Sequence, residues 1–315
     1  MSHYTSLAET EPLDTEYLLP EGMIPIPRGD VTGIFGEGSM GKGRASWSLI
    51  AQVVAEGGTV LVVLPEDNAN EQVRPRAEAA GIQALDHVIN LTRINGKRFK
   101  LSADTRHDGD IVTLAEAIAY YTGKGHDVKL VVIDPLAAVV GWGSIASNAG
   151  ARRVIESLQD VAESTGVAIF LVMHPTKSGK LAGSAGVQQA LRLLYTIKKD
   201  SVNPLVRIIS TEKANNEGSV SEYRFVIEDD GNGPRVIWLT NDEVDRRVQS
   251  WRTPPDEGMG TKVRLALEEA VVPLSPQQIA LMTDAKLTSV RTTLWRMRQR
   301  GQAIQTDNGW TTKDV

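Results

Sequence analysis

The chemistry easiest to name in this chain lies between Gly36 and Lys42. In VTGIFGEGSMGKGRASWSLIAQ, Gly36, Gly41 and Lys42 satisfy the spacing GxxxxGK. Such a loop between a strand and a helix turns backbone N–H groups inward around phosphate oxygens. Its lysine neutralises β/γ-phosphate charge, and the helix N-terminus adds a favourable dipole. Glu37, Gly38, Ser39, Met40, Gly43 and Arg44 complete the candidate nucleotide cradle. A Ser or Thr hydroxyl ordinarily follows the lysine and ligates Mg²⁺; here Gly43 takes that place, and Ser46, one helical turn on, is a weak substitute. Gly36, Gly38 and Gly41 also read as GxGxxG, a dinucleotide fingerprint, with Glu66 where a ribose-binding acid would sit. A glycine-rich turn without a ligand is the third reading.

Other residues favour a triphosphate. A lysine directly after the last glycine has no required role in a dinucleotide site. The segment LVVIDP ends an apolar strand in Asp134, the arrangement that holds a Mg²⁺ shell. Glu66, in LVVLPED, is a candidate general base for an attacking water. His174 ends a further apolar run. In parallel α/β sheets, ligands sit at the carboxyl ends of strands, so these groups can converge. Each has a plainer alternative: Glu66 and Asp67 as caps of the next helix, His174 as a satisfied strand-end histidine.

The elements that position them follow from periodicity. Apolar runs at 31–35, 59–64, 87–91, 129–134 and 167–173 alternate with helical patterns near 42–56, 69–80, 110–122 and 149–165. In the last helix Ile155, Leu158 and Ala162 share a face, with Arg152, Arg153, Glu156 and Asp160 on others. Continuous apolar strands between amphipathic helices predict a parallel sheet covered on both sides. Residues 191–199, 205–212, 223–229 and 235–239 read as antiparallel strands extending it. The fold class is therefore α/β, with the nucleotide-binding domain over 23–240. Residues 1–22 read as a polar arm outside the core, and 241–260 as a linker.

Residues 261–315 read as a separate module of three helices and a hairpin, the pattern of a winged helix-turn-helix. Within 286–300, Lys286, Arg291, Arg296, Arg298 and Arg300 occur with no acid. Leu287, Val290, Leu294 and Met297 would form the buried face, leaving Arg291, Thr292 and Arg298 outside it. A basic third helix before a hairpin predicts duplex DNA binding; protein contact with solvated arginines is the alternative.

The chain of 315 residues has no cysteine, so thiol chemistry, disulfides and cysteine zinc sites are excluded. Five scattered histidines without HExxH argue against a zinc hydrolase. The net charge of −5 hides an asymmetry: residues 258–315 hold eight basic and five acidic residues, so the body is acidic and the tail basic. No apolar run is long enough to span a bilayer and no signal-peptide pattern opens the chain, which leads us to expect a cytoplasmic protein with no membrane partner.

Taken together, GEGSMGKG, TVLVVLPEDNANEQVRPRAEAAG, LVVIDPLAAVVGWGSIASNAGARRVIESL, VAIFLVMHPTKSGKLAGSAGVQQALRLLYTI and IISTEKANNEG resemble, in order and spacing, the RecA-like ATPases of the RepA type. This is the AAA_25 group of hexameric plasmid and phage replicative helicases. The resemblance covers about residues 22–240. It implies ATP and Mg²⁺ as cofactors and ATP hydrolysis, with Lys42 on the phosphates, Glu66 as catalytic glutamate, Asp134 as the Walker B acid and His174 as a sensing residue. It places Lys213, Asn215 and Arg192 among candidates for a finger reaching a neighbour's nucleotide, and implies a homo-oligomeric ring. Lys177 and Lys180, in the loop at 175–186, and Trp142, in the loop after Asp134, are placed where the family meets single-stranded DNA in a central channel; an ordinary surface loop and a packed tryptophan are the alternatives. Because Gly43 departs from the pattern, we expect nucleotide binding with impaired turnover. A nucleotide-responsive, non-catalytic DNA-binding oligomer is the alternative.

Overall fold

The computed structural model describes residues 14–94, 96–101, 109–140, 147–175, 184–200, 206–214, 221–229, 233–240, 242–244, 259–270 and 272–312. Its contacts divide the chain into two units, Met1–Thr240 and Asn241–Val315.

The larger unit is built on a sheet whose strands are β1 (Val31–Phe35), β2 (Thr59–Val63), β3 (Val88–Asn90), β6 (Val128–Ile133), β7 (Ala168–Met173), β8 (Leu193–Lys199), β9 (Val206–Ala214), β10 (Glu222–Asp229) and β11 (Pro234–Leu239). Their order is β11-β10-β9-β8-β1-β7-β6-β2-β3. The block from β8 to β3 is parallel, and β9, β10 and β11 extend it antiparallel. This is the mixed α/β architecture of a RecA-like P-loop core. A small hairpin, β4 (Arg93–Ile94) with β5 (Lys97–Arg98), stands apart from that sheet.

Both faces of the central strands β1, β2, β6 and β7 are buried, and this explains why they read as unbroken apolar runs. Along β2, Leu61 and Val63 enter one core with Leu114 and Ile118 of α3 (Gly109–Gly123) and Ile155 and Leu158 of α5 (Asn148–Thr165). Val60 and Val62 point the other way, to Leu49, Ile50 and Val53 of α1 (Lys42–Ala55) and Ala77 of α2 (Arg74–Ala79). α5 is bounded as its sequence dictates. Ser147 accepts from the Gly150 N–H at the start, and Gly166 closes the end in the left-handed region.

Two expectations are corrected. The run at 191–199, expected as an antiparallel strand, is β8 and pairs parallel with β1, the helix Ser184–Ala190 standing between β7 and β8 as in a crossover connection. Leu18 and Leu19 are buried in the core with Ile24 and Ile26. The Leu18 N–H donates to the Ile26 carbonyl and the Arg28 N–H to the Glu16 carbonyl. The end of the segment expected as an outlying arm is thus a fold-back ladder sealing this core. Two leucines flanked by acids gave too little periodicity to reveal it.

The smaller unit has its own core of Val263, Leu267, Ile279, Val290, Leu294, Met297 and Trp310, among others. Three helices, α7 (Met259–Glu269), α8 (Pro276–Thr283) and α9 (Leu287–Gln299), precede the hairpin β12 (Ile304–Thr306) and β13 (Gly309–Thr311). Ser275 and Gln278 form a reciprocal capping box with Pro276 in the first turn. Leu274 and Trp310 exchange both backbone hydrogen bonds, pinning the hairpin to the α7–α8 connection. No helix of the described residues is long and apolar enough to cross a membrane.

Candidate functional site

The register of the parallel strands decides where the site lies. Phe35 pairs with Met173, and Val63 with Ile133. The residues that follow these strand ends therefore emerge along one rim: Gly36, Glu66, Asp134 and His174.

The glycine-rich loop closes on itself. Gly41 adopts φ 96° immediately before α1, a left-handed conformation that glycine adopts without strain. Gly36 is held against β8, where a Cβ would come within 2.6 Å of the Ile197 side chain and carbonyl. Lys42 is buried, and its Nζ donates to the carbonyls of Gly36 at 2.5 Å and Glu37 at 2.7 Å. The loop is braced from the antiparallel strands as well. Arg207 Nε donates to the Met40 carbonyl at 3.1 Å, Arg44 to the Pro234 carbonyl at 2.8 Å, and Trp238 Nε1 to Ser48 Oγ at 3.1 Å. Sequence reasoning missed these braces. Arg207 lies 167 residues from its partner, and nothing local marks the pairing.

Beside the loop opens a pocket of about 630 Å³, lined among others by Lys42, Gly43, Arg76, Asp134, His174 and Arg235. Gly43 faces Asp134 closely enough that a Cβ there would lie 3.4 Å from Asp134 Oδ2. Ser46 does not replace the missing hydroxyl, because it is buried and donates to the Lys42 carbonyl at 3.1 Å. The site thus fits a polyphosphate through its loop and ammonium, and offers Asp134 for a divalent cation without a hydroxyl from the residue after Lys42 or from Ser46.

The charges here are costly to bury. Burial, then nearby Asp67, raises the Asp134 carboxyl from 3.8 to about 6, although Lys42 and Arg76 pull it down. Burial lowers the Lys42 ammonium, with Asp134 opposing. Burial, then Lys42, holds His174 below 6.5, with Glu66 opposing. The imidazole is therefore neutral at pH 7 and able to donate or accept one hydrogen bond. Asp67 is ion-paired with Arg76, and the helical cap is Asn68, whose side chain accepts from the Asn70 N–H. Glu66 is exposed and uncommitted to capping, and it lines an adjoining cavity with Arg93 and Arg98.

A stability consequence follows. Asp134 is raised above its ordinary value in the fold, so its protonation stabilises the fold fully below about pH 4. That contribution is lost as pH rises through about 6. Asp134→Asn is expected to gain on the wild type by about 2–3 kcal/mol between pH 4 and 8 in nucleotide-free urea melts. A gap that stays constant over that range would show that the charge is not its cause.

The remaining candidates are not gathered here. Lys213 pairs in register with Leu194 at the start of β8, the rim opposite the loop, and its Nζ donates to the carbonyls of Gln188, Gln189 and Leu191. Arg192 lies at that same rim, paired with Glu163 at 3.2 Å and Asp30 at 4.0 Å. Neither joins its own chain's pocket. Asn215, Lys177, Lys180 and Trp142 lie outside the described residues.

On α9, Val290, Leu294 and Met297 are buried, while Leu287 is only partly so. Arg291 and Thr292 are exposed and Arg296 is half-buried; Arg298, also exposed, donates to Gln305 of the hairpin at 2.9 Å.

A family model described as an AAA domain, AAA_25, matches residues 5–180, more than half of the chain and all four groups at the loop rim. Among curated proteins nothing matches.

Proposed function

The chain belongs to the AAA_25 family of AAA-domain P-loop ATPases, and from that premise we propose that it is an ATP-binding, RecA-like motor of the RepA helicase class, acting on DNA. The observation that supports this reading best is the convergence of the Gly36–Lys42 loop, Asp134 and His174 on one pocket at the strand ends. The loop N–H groups and Lys42 hold the β- and γ-phosphates. Glu66 orients the attacking water, and His174 hydrogen-bonds the γ-phosphate or its product. A magnesium ion bound with the nucleotide supplies charge neutralisation at the phosphates, and Asp134 is the residue that would hold it.

In this reading the protein assembles as a homo-oligomeric ring, most simply a hexamer. Arg192 at the far rim is the finger candidate with its side chain half exposed, and it would exchange its pairing with Glu163 and Asp30 for the nucleotide; Lys213 would first have to release three carbonyls. The test combines ATP turnover, with and without single-stranded DNA, and single-particle mass measurements. DNA-stimulated turnover and nucleotide-dependent rings are expected. Binding of NAD in place of ATP would end this reading.

One observation favours a second reading. Gly43 brings no hydroxyl, and the Ser46 hydroxyl is committed to the helix backbone. A protein that binds ATP to set its assembly on DNA, without turnover, fits those facts. Nucleotide-dependent oligomerisation with no phosphate release would select it.

We assign the smaller unit a winged-helix role, with α9 in the major groove of duplex DNA and the hairpin on flanking phosphates. Arg291→Ala with Arg298→Ala is expected to weaken duplex binding and flatten its salt dependence by roughly 2 in log–log slope. Unchanged duplex affinity would remove α9 from the contact.

A further inference from the structure

At the edge of the sheet, beyond β3, lies the β4–β5 hairpin. Residues 93–100 carry Arg93, Lys97, Arg98 and Lys100 and no acid. Arg93 and Arg98 are register partners across the hairpin, and like charges placed directly opposite destabilise a strand pair. Arg93, Lys97 and Arg98 are all exposed. Among the described residues, no carboxylate forms an ion pair with any of them. Among the described residues, Arg93 donates to the Gly96 carbonyl, at 3.2 Å.

The hairpin shares a cavity of about 650 Å³ with α3, and among the described residues its lining joins these three cations to Tyr120, Tyr121 and one carboxylate, Glu116. Tyr120 is 55% exposed, unusual for so large a ring. It is braced edge-to-face by Tyr121 at 5.1 Å between centroids, and Lys124 Nζ sits 4.7 Å from its centroid. An adjoining cavity shares Asn90, Arg93 and Arg98 and reaches Glu66. That adjoining cavity also carries the carboxylate of Asp67, so the groove leads from an exposed aromatic ring, past cations that form no ion pair among the described residues, to the two acids beyond the end of β2.

Cations interleaved with an exposed aromatic ring match a polyanion that also offers flat apolar faces. Single-stranded nucleic acid has both, whereas a duplex keeps its base faces stacked away. We propose that the groove between β4–β5 and α3 binds single-stranded nucleic acid, with Arg93, Lys97 and Arg98 on phosphates and Tyr120 under a base. The proposal rests on the reading that this protein acts on DNA, and it assigns the single-strand contact to a surface that reading does not use.

The test titrates the full-length protein into a fluorescein-labelled oligothymidylate and into its duplex with oligoadenylate. Arg93→Ala with Arg98→Ala is expected to weaken oligothymidylate binding about tenfold at low salt and to flatten the log–log salt slope by roughly 1.4. Tyr120→Ala is expected to weaken it about tenfold at unchanged slope, and Tyr120→Phe to restore it. Retained binding of a fluorescent ATP analogue shows that each variant is folded. Wild-type affinity in these variants would overturn the groove assignment while leaving DNA binding intact. Failure of the wild type to bind either oligonucleotide would overturn the DNA reading together with the groove. Equal losses on single strand and duplex would overturn the single-strand assignment.

Discussion

Lys42→Ala is expected to weaken ATP binding by about 10- to 100-fold or more, the loss that follows when a charge-assisted hydrogen bond of roughly 1.5–3 kcal/mol is removed. Two features of the site argue for the upper part of that range. The ammonium is buried, so its field is poorly screened. It also holds the loop together through the Gly36 and Glu37 carbonyls, so truncation loosens the backbone that contacts phosphate. The nucleotide-free protein should tolerate the change better than its affinity suggests, because burial already disfavours this cation. Lys42→Met, which keeps much of the apolar stem, is the companion variant. Titration of a fluorescent ATP analogue and thermal melts with and without nucleotide measure both effects. Near-wild-type melting without nucleotide, with the nucleotide-induced shift lost, is the expected pair of results. Unchanged affinity would mean that the loop amides carry binding without the lysine.

Gly43→Ser or Gly43→Thr is expected to raise Mg²⁺-dependent ATP turnover by tenfold or more, about 1.4 kcal/mol of barrier. The space for it exists, since a Cβ at this position meets only Asp134 Oδ2, at an ordinary 3.4 Å. The new hydroxyl would therefore lie beside the carboxylate assigned to the metal, the place Ser46 does not serve. Gly43→Ala separates chemistry from scaffold. It should stabilise the start of α1 by about 0.5–1 kcal/mol, through the lower backbone entropy of alanine, without raising turnover. Robust, Lys42-dependent turnover by the wild type, with no gain from serine, would sink the reading that Gly43 limits catalysis.

Much of the scaffold was legible because the central strands are buried on both faces. β1, β2, β6 and β7 read as unbroken apolar runs, and the antiparallel strands β9 to β11 were visible from their turn-rich spacing, whereas the run at 191–199, expected antiparallel, is β8 and lies parallel to β1. The helix at 69–80 was less regular than its pattern. It opens with a π-helical turn, Ala69–Val73, before α2, with Pro75 in the first turn of α2. The burial of Leu18 and Leu19 was not legible, because only the fold-back onto Ile24 and Ile26 gives those leucines a partner. The basic hairpin was passed over for a related reason. Arg93 and Arg98 become opposed cations only once a turn pairs them.

The sequence by itself determined the phosphate-loop pattern, the acid ending the β6 run, the alternation that demands a parallel sheet, and the basic character of α9. All of these are local, set by residue type and spacing along the chain. Tertiary structure alone decided which groups share a site. Strand register gathers Lys42, Asp134 and His174 and carries Lys213 and Arg192 to the opposite rim. It also decided the ionisation of the gathered groups. A carboxyl rises to about 6 only where the fold removes water and adds a second acid, and both depend on neighbours distant in sequence.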